Sequence, residues 1–346
     1  MSKFIAVDCG KYNTKVESYD SESGKRRHFK FRTKISPGTL DDDMLERGTF
    51  IVQTDDGDGE VYKIGNDARK EPDMETSKKS EIHRICSLAA IAMAAGPGVH
   101  EDLSVVIGMP LSLCSVPEER LSYKKYILGE PGEKHVVNFV TNPNDPDPVQ
   151  ECVFTISKEL VYPEGIGVIY EYPAKLSGPT AVLDIGNLNI NNTYTDNFNI
   201  VNESCFSDEL GGKVLITGLA QELTSELGAR VDENLAASTL LRPLSDRYLH
   251  TTSGNKEIDE KSREIIDRYL LEHVRAIKQK CATRHWPLEF MNVVCVGGTS
   301  KLLIEEIKQV FGANAFIPDN PEYANASGFL KKMCADAGID LTGSGK

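Results

Sequence analysis

Phe4-Ile5-Ala6-Val7-Asp8-Cys9-Gly10-Lys11-Tyr12-Asn13-Thr14-Lys15 and, far downstream, Thr180-Ala181-Val182-Leu183-Asp184-Ile185-Gly186-Asn187-Leu188-Asn189-Ile190-Asn191 follow one plan. Each is an apolar run that ends in Asp-x-Gly and continues into polar, small or amide residues. The alternation on both sides of the glycine predicts a β-hairpin. A carboxylate at the strand end suits the water shell of Mg²⁺, an ion that dehydrates reluctantly and binds through few carboxylates plus phosphates. Glycine lets the backbone approach a phosphate, and the N–H groups of the turn can cradle it. Taken singly, Asp-x-Gly is ordinary hairpin chemistry. Its recurrence predicts two similar half-molecules clamping one nucleotide.

The chain has 346 residues, enough for two domains with cores of their own. Hydrophobic residues make up 40%, which excludes a disordered chain. No apolar run approaches the roughly 20 residues that cross a bilayer. The start, Met1-Ser2-Lys3-Phe4, enters a strand without the apolar core of a signal peptide, so a cytoplasmic location and no membrane partner are expected. The eight cysteines include no Cys-x-x-Cys pair, and Cys295 sits in the apolar run Val293-Val294-Cys295-Val296. Buried free thiols of a reducing compartment are therefore expected. The histidines lack the paired spacing of a zinc site. A net charge of −13 opposes direct nucleic-acid binding. The basic stretch Lys25-Arg26-Arg27-His28-Phe29-Lys30-Phe31-Arg32-Thr33-Lys34 alternates like an exposed strand and reads as a solvated sheet face. DNA, if a partner, would be reached through a basic adaptor.

Strands are expected at 4–7, 15–19, 28–33, 49–54 and 60–64, the last two joined by the acidic turn Asp55-Asp56-Gly57-Asp58-Gly59. That turn lacks the glycine and terminal glutamate of a calcium loop. Helix 80–95 follows, then a buried strand at 103–108, helix 118–128, strands 135–140 and 151–156, and a helix at 164–172. The second half repeats the plan with a hairpin from Ala181, a helix opened by Gly211-Gly212, a long polar helix at 259–283 and a strand at 292–296. Gly297-Gly298 precedes a helix at 301–311, and Asn320-Pro321 reads as the cap and first residue of a last helix at 322–337.

With these motifs in this order, the chain resembles the actin/Hsp70/sugar-kinase superfamily over nearly its whole length. Asp8-x-Gly10-x-x-Asn13-x-Lys15 resembles the first phosphate loop and Asp184-x-Gly186 the second. Val294-Cys295-Val296-Gly297-Gly298-Thr299 resembles the adenosine motif. Leu210-Gly211-Gly212 and Tyr323-Ala324-Asn325-Ala326-x-Gly328 resemble the connecting segments at the hinge between domains. Within the superfamily it is most similar to the ParM-type plasmid-segregating proteins, on the Asn-x-Lys end of the first loop, Gly108-Met109-Pro110-Leu111, and Asn320 through Phe329. The second loop departs from the usual Asp-x-Gly-Gly-x-Thr, reading Asp184-Ile185-Gly186-Asn187-Leu188-Asn189. Asparagine tolerates positive φ better than most residues.

The resemblance implies an α/β, actin-like fold: two RNase H-like domains, 1–172 plus 319–346 and 173–318, flanking a nucleotide cleft. It implies ATP or GTP with Mg²⁺. The metal would be held by Asp8 and Asp184, and the phosphates by backbone N–H groups from Gly10 through Lys11 and Tyr12 to Asn13 and from Gly186 to Asn187. Lys15 would neutralise phosphate charge, Gly211, Gly212 and Lys213 would line the nucleotide, and Gly297, Gly298 and Thr299 would carry the adenosine. Glu164, in Tyr162-Pro163-Glu164-Gly165, is the candidate for orienting the attacking water. Its plainer reading is a first-turn glutamate complementing a helix dipole.

For function, the family implies a filament-forming ATPase that segregates plasmid DNA by polymerising. It would pair with itself and with a DNA-binding adaptor on a centromere-like site. A small-molecule kinase or nucleotide sensor and a cell-shape or division scaffold stay open as alternatives. No aspartate poised for a substrate hydroxyl and no amphipathic membrane helix favours either.

Overall fold

The computed structural model describes residues 3–42, 44–54, 59–73, 77–250 and 254–341. The acidic turn at 55–58 lies outside them. The chain divides into two compact units, Met1–Tyr172 with Tyr323–Lys346, and Pro173–Glu322.

The first unit begins with β1 (Lys3–Cys9), β2 (Asn13–Asp20), β3 (Lys25–Arg32), β4 (Ile35–Pro37), β5 (Thr49–Thr54) and β6 (Val61–Gly65). It continues through α1 (Glu81–Ala95), β7 (Gly98–Met109), α2 (Leu111–Cys114), α3 (Pro117–Leu128), β8 (Lys134–Val140), β9 (Gln150–Pro163) and α4 (Gly167–Glu171). Among the described residues these strands form one nine-stranded sheet in the order β3-β2-β1-β7-β9-β8-β5-β6-β4. β1 pairs antiparallel with β2 and parallel with β7, and β7 pairs parallel with β9. From Phe4 to Cys9, β1 is buried throughout, as a strand covered on both faces requires. One face packs Ile5 and Val7 with Ile85, Leu88 and Ala92 of α1 and Ile127 of α3. The other packs Phe4, Ala6 and Val106 with Phe329, Leu330 and Met333, which belong to the terminal helix.

The second unit holds β10 (Thr180–Ile185), β11 (Ile190–Asp196), β12 (Asn199–Ile200), β13 (Phe206–Asp208), α5 (Gly212–Leu227), α6 (Glu233–Leu240), α7 (Lys256–Thr283), β14 (Asn292–Val296), α8 (Ile304–Phe311) and β15 (Ala315–Phe316). α9 (Ala324–Asp336) returns to the first unit. The second sheet runs β12-β11-β10-β14-β15, with β13 on β11. β10 is antiparallel to β11 and parallel to β14, the same relation as β1 to β2 and β7. Asn255 caps α7, its side chain accepting from Glu257 N–H, and Asp232 caps α6 by accepting from Leu235 N–H. α5 ends on Gly228 in the left-handed region at φ 64°. Ile265, Ile266, Leu270, Val274 and Ile277 of α7 bury one stripe against Leu215, Leu219 and Leu223 of α5.

Several expectations change. β9 runs on to Pro163 instead of ending near Ile156, and the expected helix 164–172 shrinks to α4. The polar residues Lys158 and Glu159 obscure the strand, although Glu159 is held by an ion pair to Lys124 at 3.1 Å. The expected helix at 301 starts at Ile304 after a 3₁₀ turn, Thr299–Leu302. Asn320-Pro321 opens a 3₁₀ turn, Pro321–Tyr323, not the α-helix itself. α6 was not expected. The cysteines are free, and all but Cys205 are buried. Among the described residues no helix is long and apolar enough to cross a membrane.

α4 crosses α9 with backbones almost touching. A Cβ on Gly328 would lie 1.7 Å from Gly167 O, and one on Gly167 would lie 2.4 Å from Asn325 Cα. The Asn325 side chain accepts from Gly165 N–H at 3.0 Å, tying this crossing to the segment that carries Glu164. Gly328→Ala is expected to lower stability by about 3 kcal/mol or more, since neither backbone can retreat. Urea unfolding midpoints of the two proteins measure it, and an unchanged midpoint would refute the close crossing.

Candidate functional site

The two Asp-x-Gly turns are built alike, atom by atom. In the first, Gly10 N–H donates to Asp8 O at 3.0 Å and Asn13 O at 3.1 Å; in the second, Gly186 N–H donates to Asp184 O at 3.1 Å and Asn189 O at 3.0 Å. A Cβ would meet Asn13 O at 2.9 Å in one and Asn189 O at 2.8 Å in the other. Register agrees as well, with Asp8 opposite Lys15 and Asp184 opposite Asn191. The sequence Asn187-Leu188-Asn189 thus leaves the turn's shape intact. The N–H groups of Gly10 and Gly186 donate within their own turns, so glycine serves turn closure there.

A threonine hydroxyl holds each turn from outside. Thr33 Oγ1 donates to Gly10 O at 2.6 Å and Thr299 Oγ1 donates to Gly186 O at 2.8 Å. Thr33 lies just past β3 and had no motif to reveal it. Behind the first turn, Thr14 and Thr33 hydroxyls lie 3.0 Å apart and Cys9 Sγ lies 3.2 Å from Thr14 Oγ1. Tyr12 is exposed, with the Arg32 guanidinium 3.3 Å from its ring centroid. Lys15 pairs with Asp8 at 3.1 Å.

The second turn also takes the first donors of α5. Gly212 N–H bonds Gly186 O at 3.0 Å and Lys213 N–H bonds Asn187 O at 2.7 Å. Helix N-termini offer such unpaired donors, and here the loop uses them. Gly211 is needed because a Cβ would lie 2.6 Å from Leu188 C, and Gly212 because one would lie 2.5 Å from Thr299 Oγ1. Lys213 itself is exposed. Gly297 sits at φ 89°, where a Cβ would meet Ile185 O at 2.4 Å and Asp184 Oδ1 at 2.6 Å. Gly298 differs: a Cβ there meets nothing within 4 Å. It alone of this pair leaves open space that a flat ring could occupy.

In the first unit, Asp8 near the end of β1 and Glu164 just after β9 flank the parallel strand β7. Gly108, on β7 between them, has an imaginary Cβ 3.5 Å from both Asp8 Oδ1 and Glu164 Cγ. Glu164 is buried, its N–H donates to Met109 O at 2.8 Å, and its carboxylate is ion-paired with Lys78. Lys78 was missed, because Ser77-Lys78-Lys79 looks like a solvated loop. Nearby His83 is buried and accepts or donates at Nδ1 with Ser80 Oγ, 2.8 Å away. Burial, then the charges of Lys78 and Lys11, push its pKa down to about 3, so it is neutral.

Each turn, in its own unit, offers one strand-end carboxylate of the kind that a hydrated Mg²⁺ accepts.

This architecture, two sheets each led by an Asp-x-Gly hairpin with a parallel third strand, is the actin-like fold. The profile of the N-terminal domain of actin-like proteins matches residues 6–167. Among solved structures, the archaeal actin homologue Ta0583 superposes with a TM-score of 0.75 at 19% identity, covering 96% of this chain and 99% of that one. The Alp12 filament structure gives 0.71 at 22% identity, covering 97% and 99%. The apo psk41 ParM protein gives 0.70 at 12% identity, covering 97% and 98%. The resemblance to actin-like proteins read from the sequence is borne out. Comparison with curated proteins finds no match.

Thr299→Val removes the hydroxyl that holds Gly186 O and is expected to cost about 1 kcal/mol, whereas Thr299→Ser should cost little. Urea unfolding of the two variants checks this. Equal losses would show that the methyl group matters rather than the hydrogen bond.

Proposed function

We propose that this protein is a filament-forming, nucleotide-hydrolysing member of the actin-like group, which segregates plasmid DNA through an adaptor. The observation that carries the reading is the turn repeated in both units, each with its strand-end aspartate, joined in the first unit by a buried glutamate beside Asp8. Support comes also from the neighbours, which include a filament structure, ParM proteins and an archaeal homologue in complex with ADP. Lys11, Tyr12, Asn13 and Asn187 would contact phosphates, with Lys15 exchanging Asp8 for phosphate charge. Asp8 and Asp184 would hold the hydrated metal, and Gly298 would face the adenine or guanine ring. When bound, Mg²⁺ supplies charge neutralisation on the phosphates. Glu164 would orient the attacking water and accept its proton. Gly211, Gly212, Gly297 and Thr299 act on the nucleotide through the turn that they support.

A head-to-tail contact that does not close on itself yields a polar filament. Nucleotide state would bias assembly by favouring one conformation over another. The net charge of −13 favours contact with DNA through a basic adaptor.

Pelleting and light scattering with Mg·ATP and with Mg·GTP test the core of this reading. Wild type is expected to form polymer that dissolves as nucleotide is consumed, and Asp184→Ala to form none. Glu164→Gln should assemble and persist, with phosphate release slowed by about 10²-fold or more. A wild type that binds nucleotide yet stays monomeric at every concentration would sink the filament reading in favour of a kinase or sensor. For segregation, the gene with its flanking DNA is placed on an unstable plasmid. Loss per generation should fall, and unchanged loss would refute that part.

A further inference from the structure

Lys78 is set in the first unit with more constraint than a surface lysine needs. Its backbone lies at φ 53°, a left-handed conformation uncommon for a residue with a side chain. Its side chain is 5% exposed, and its ammonium group donates to Cys9 O at 3.0 Å and forms the ion pair with Glu164. Cys9 is the residue between Asp8 and Gly10. One ammonium therefore touches both the first Asp-x-Gly turn and the glutamate that follows β9.

A buried ion pair is poor evidence of added stability, because desolvation of two charges offsets their attraction and an apolar pair of like volume often serves as well. What the pair does supply is charge and direction. A buried carboxylate without a partner takes up a proton, and a buried ammonium loses one. Burial draws the Lys78 pKa down, but the charges of Glu164 and then Asp8 outweigh it and leave the group raised, so Lys78 stays protonated. His83 beside it is neutral and adds no competing cation.

We propose that Lys78 is a positioning residue for hydrolysis: it holds the Glu164 carboxylate in place and fixes it relative to the first turn through Cys9 O. This rests on the reading of Glu164 as the water-orienting group. Lys78 acts through Glu164 and not on the nucleotide.

The test measures phosphate release at saturating Mg·ATP, nucleotide affinity and urea stability for Lys78→Met, Glu164→Gln and the double variant. Lys78→Met is expected to slow release by about 10- to 100-fold while nucleotide Kd stays within about twofold. In the Glu164→Gln background, Lys78→Met should slow release no further, because both changes remove one function. A merely structural lysine would instead add its full effect there. Lys78→Met strands a buried carboxylate and is expected to lose stability; the double variant, with neither charge, should recover it and gives the decisive rate comparison should the single variant not fold. Additive losses, or a Kd raised tenfold or more that makes Lys78 a phosphate ligand, would overturn the proposal. If Glu164→Gln is slow but Lys78→Met releases phosphate at the wild-type rate, this proposal alone falls. If Glu164→Gln itself matches wild type, the reading of Glu164 falls with it.

Discussion

In each unit the strand-end aspartate is placed by the same hydrogen bond, from the glycine N–H of Asp-x-Gly to the carbonyl three residues on. It closes the hairpin in a register that leaves the aspartate at the strand end. Because the hairpin's first strand is also the strand paired in parallel with β7 or β14, the aspartate inherits a fixed place beside whatever those strands carry. In the first unit that neighbour is Gly108 and, one strand further, Glu164. A side chain at 108 would press on Phe329, 3.2 Å from an imaginary Cβ. The glycine thus lets the two carboxylates and the terminal helix share one corner.

The carbonyl of the same glycine is where the units diverge. In the first it is held by Thr33, delivered by the strand after the hairpin. In the second it is held by Thr299 and by the first turn of α5. Two unrelated stretches of chain thus do the same task, and the glycines at 211, 212 and 297 are there to let backbone and hydroxyl come near enough. They look like ligand-binding glycines in sequence, yet most of their clearance is taken up by protein atoms. Only at Gly298 does the missing side chain leave open space.

How far the sequence could be read followed from how local each signal was. The hairpins, β14 and α5 were legible because apolar alternation and a breaking glycine lie within a dozen residues. β9 was cut short because Lys158 and Glu159 interrupt the pattern, and the partner that accommodates Glu159, Lys124, comes from a helix distant in sequence. Glu164 was singled out through resemblance and lies near Asp8, after a strand and not within the first turn of a long helix. Lys78 and Thr33 were not legible. Each matters through a contact with the first turn that is remote in sequence, and neither sits in a pattern that periodicity or turn chemistry marks.

The ends of the two sheets bear on how this chain can meet other copies of itself. Strand β3, at one edge of the larger sheet, carries exposed Lys25, Arg27, His28 and Lys30; β4, at the other edge, has three residues. The path of the smaller sheet ends in β12 and β15, two residues each. Short or charged margins are poor templates for a further strand. Backbone-to-backbone growth, which locks chains into cross-β fibrils, is therefore disfavoured from the start. Any association between copies would then fall to side-chain surfaces instead of sheet edges.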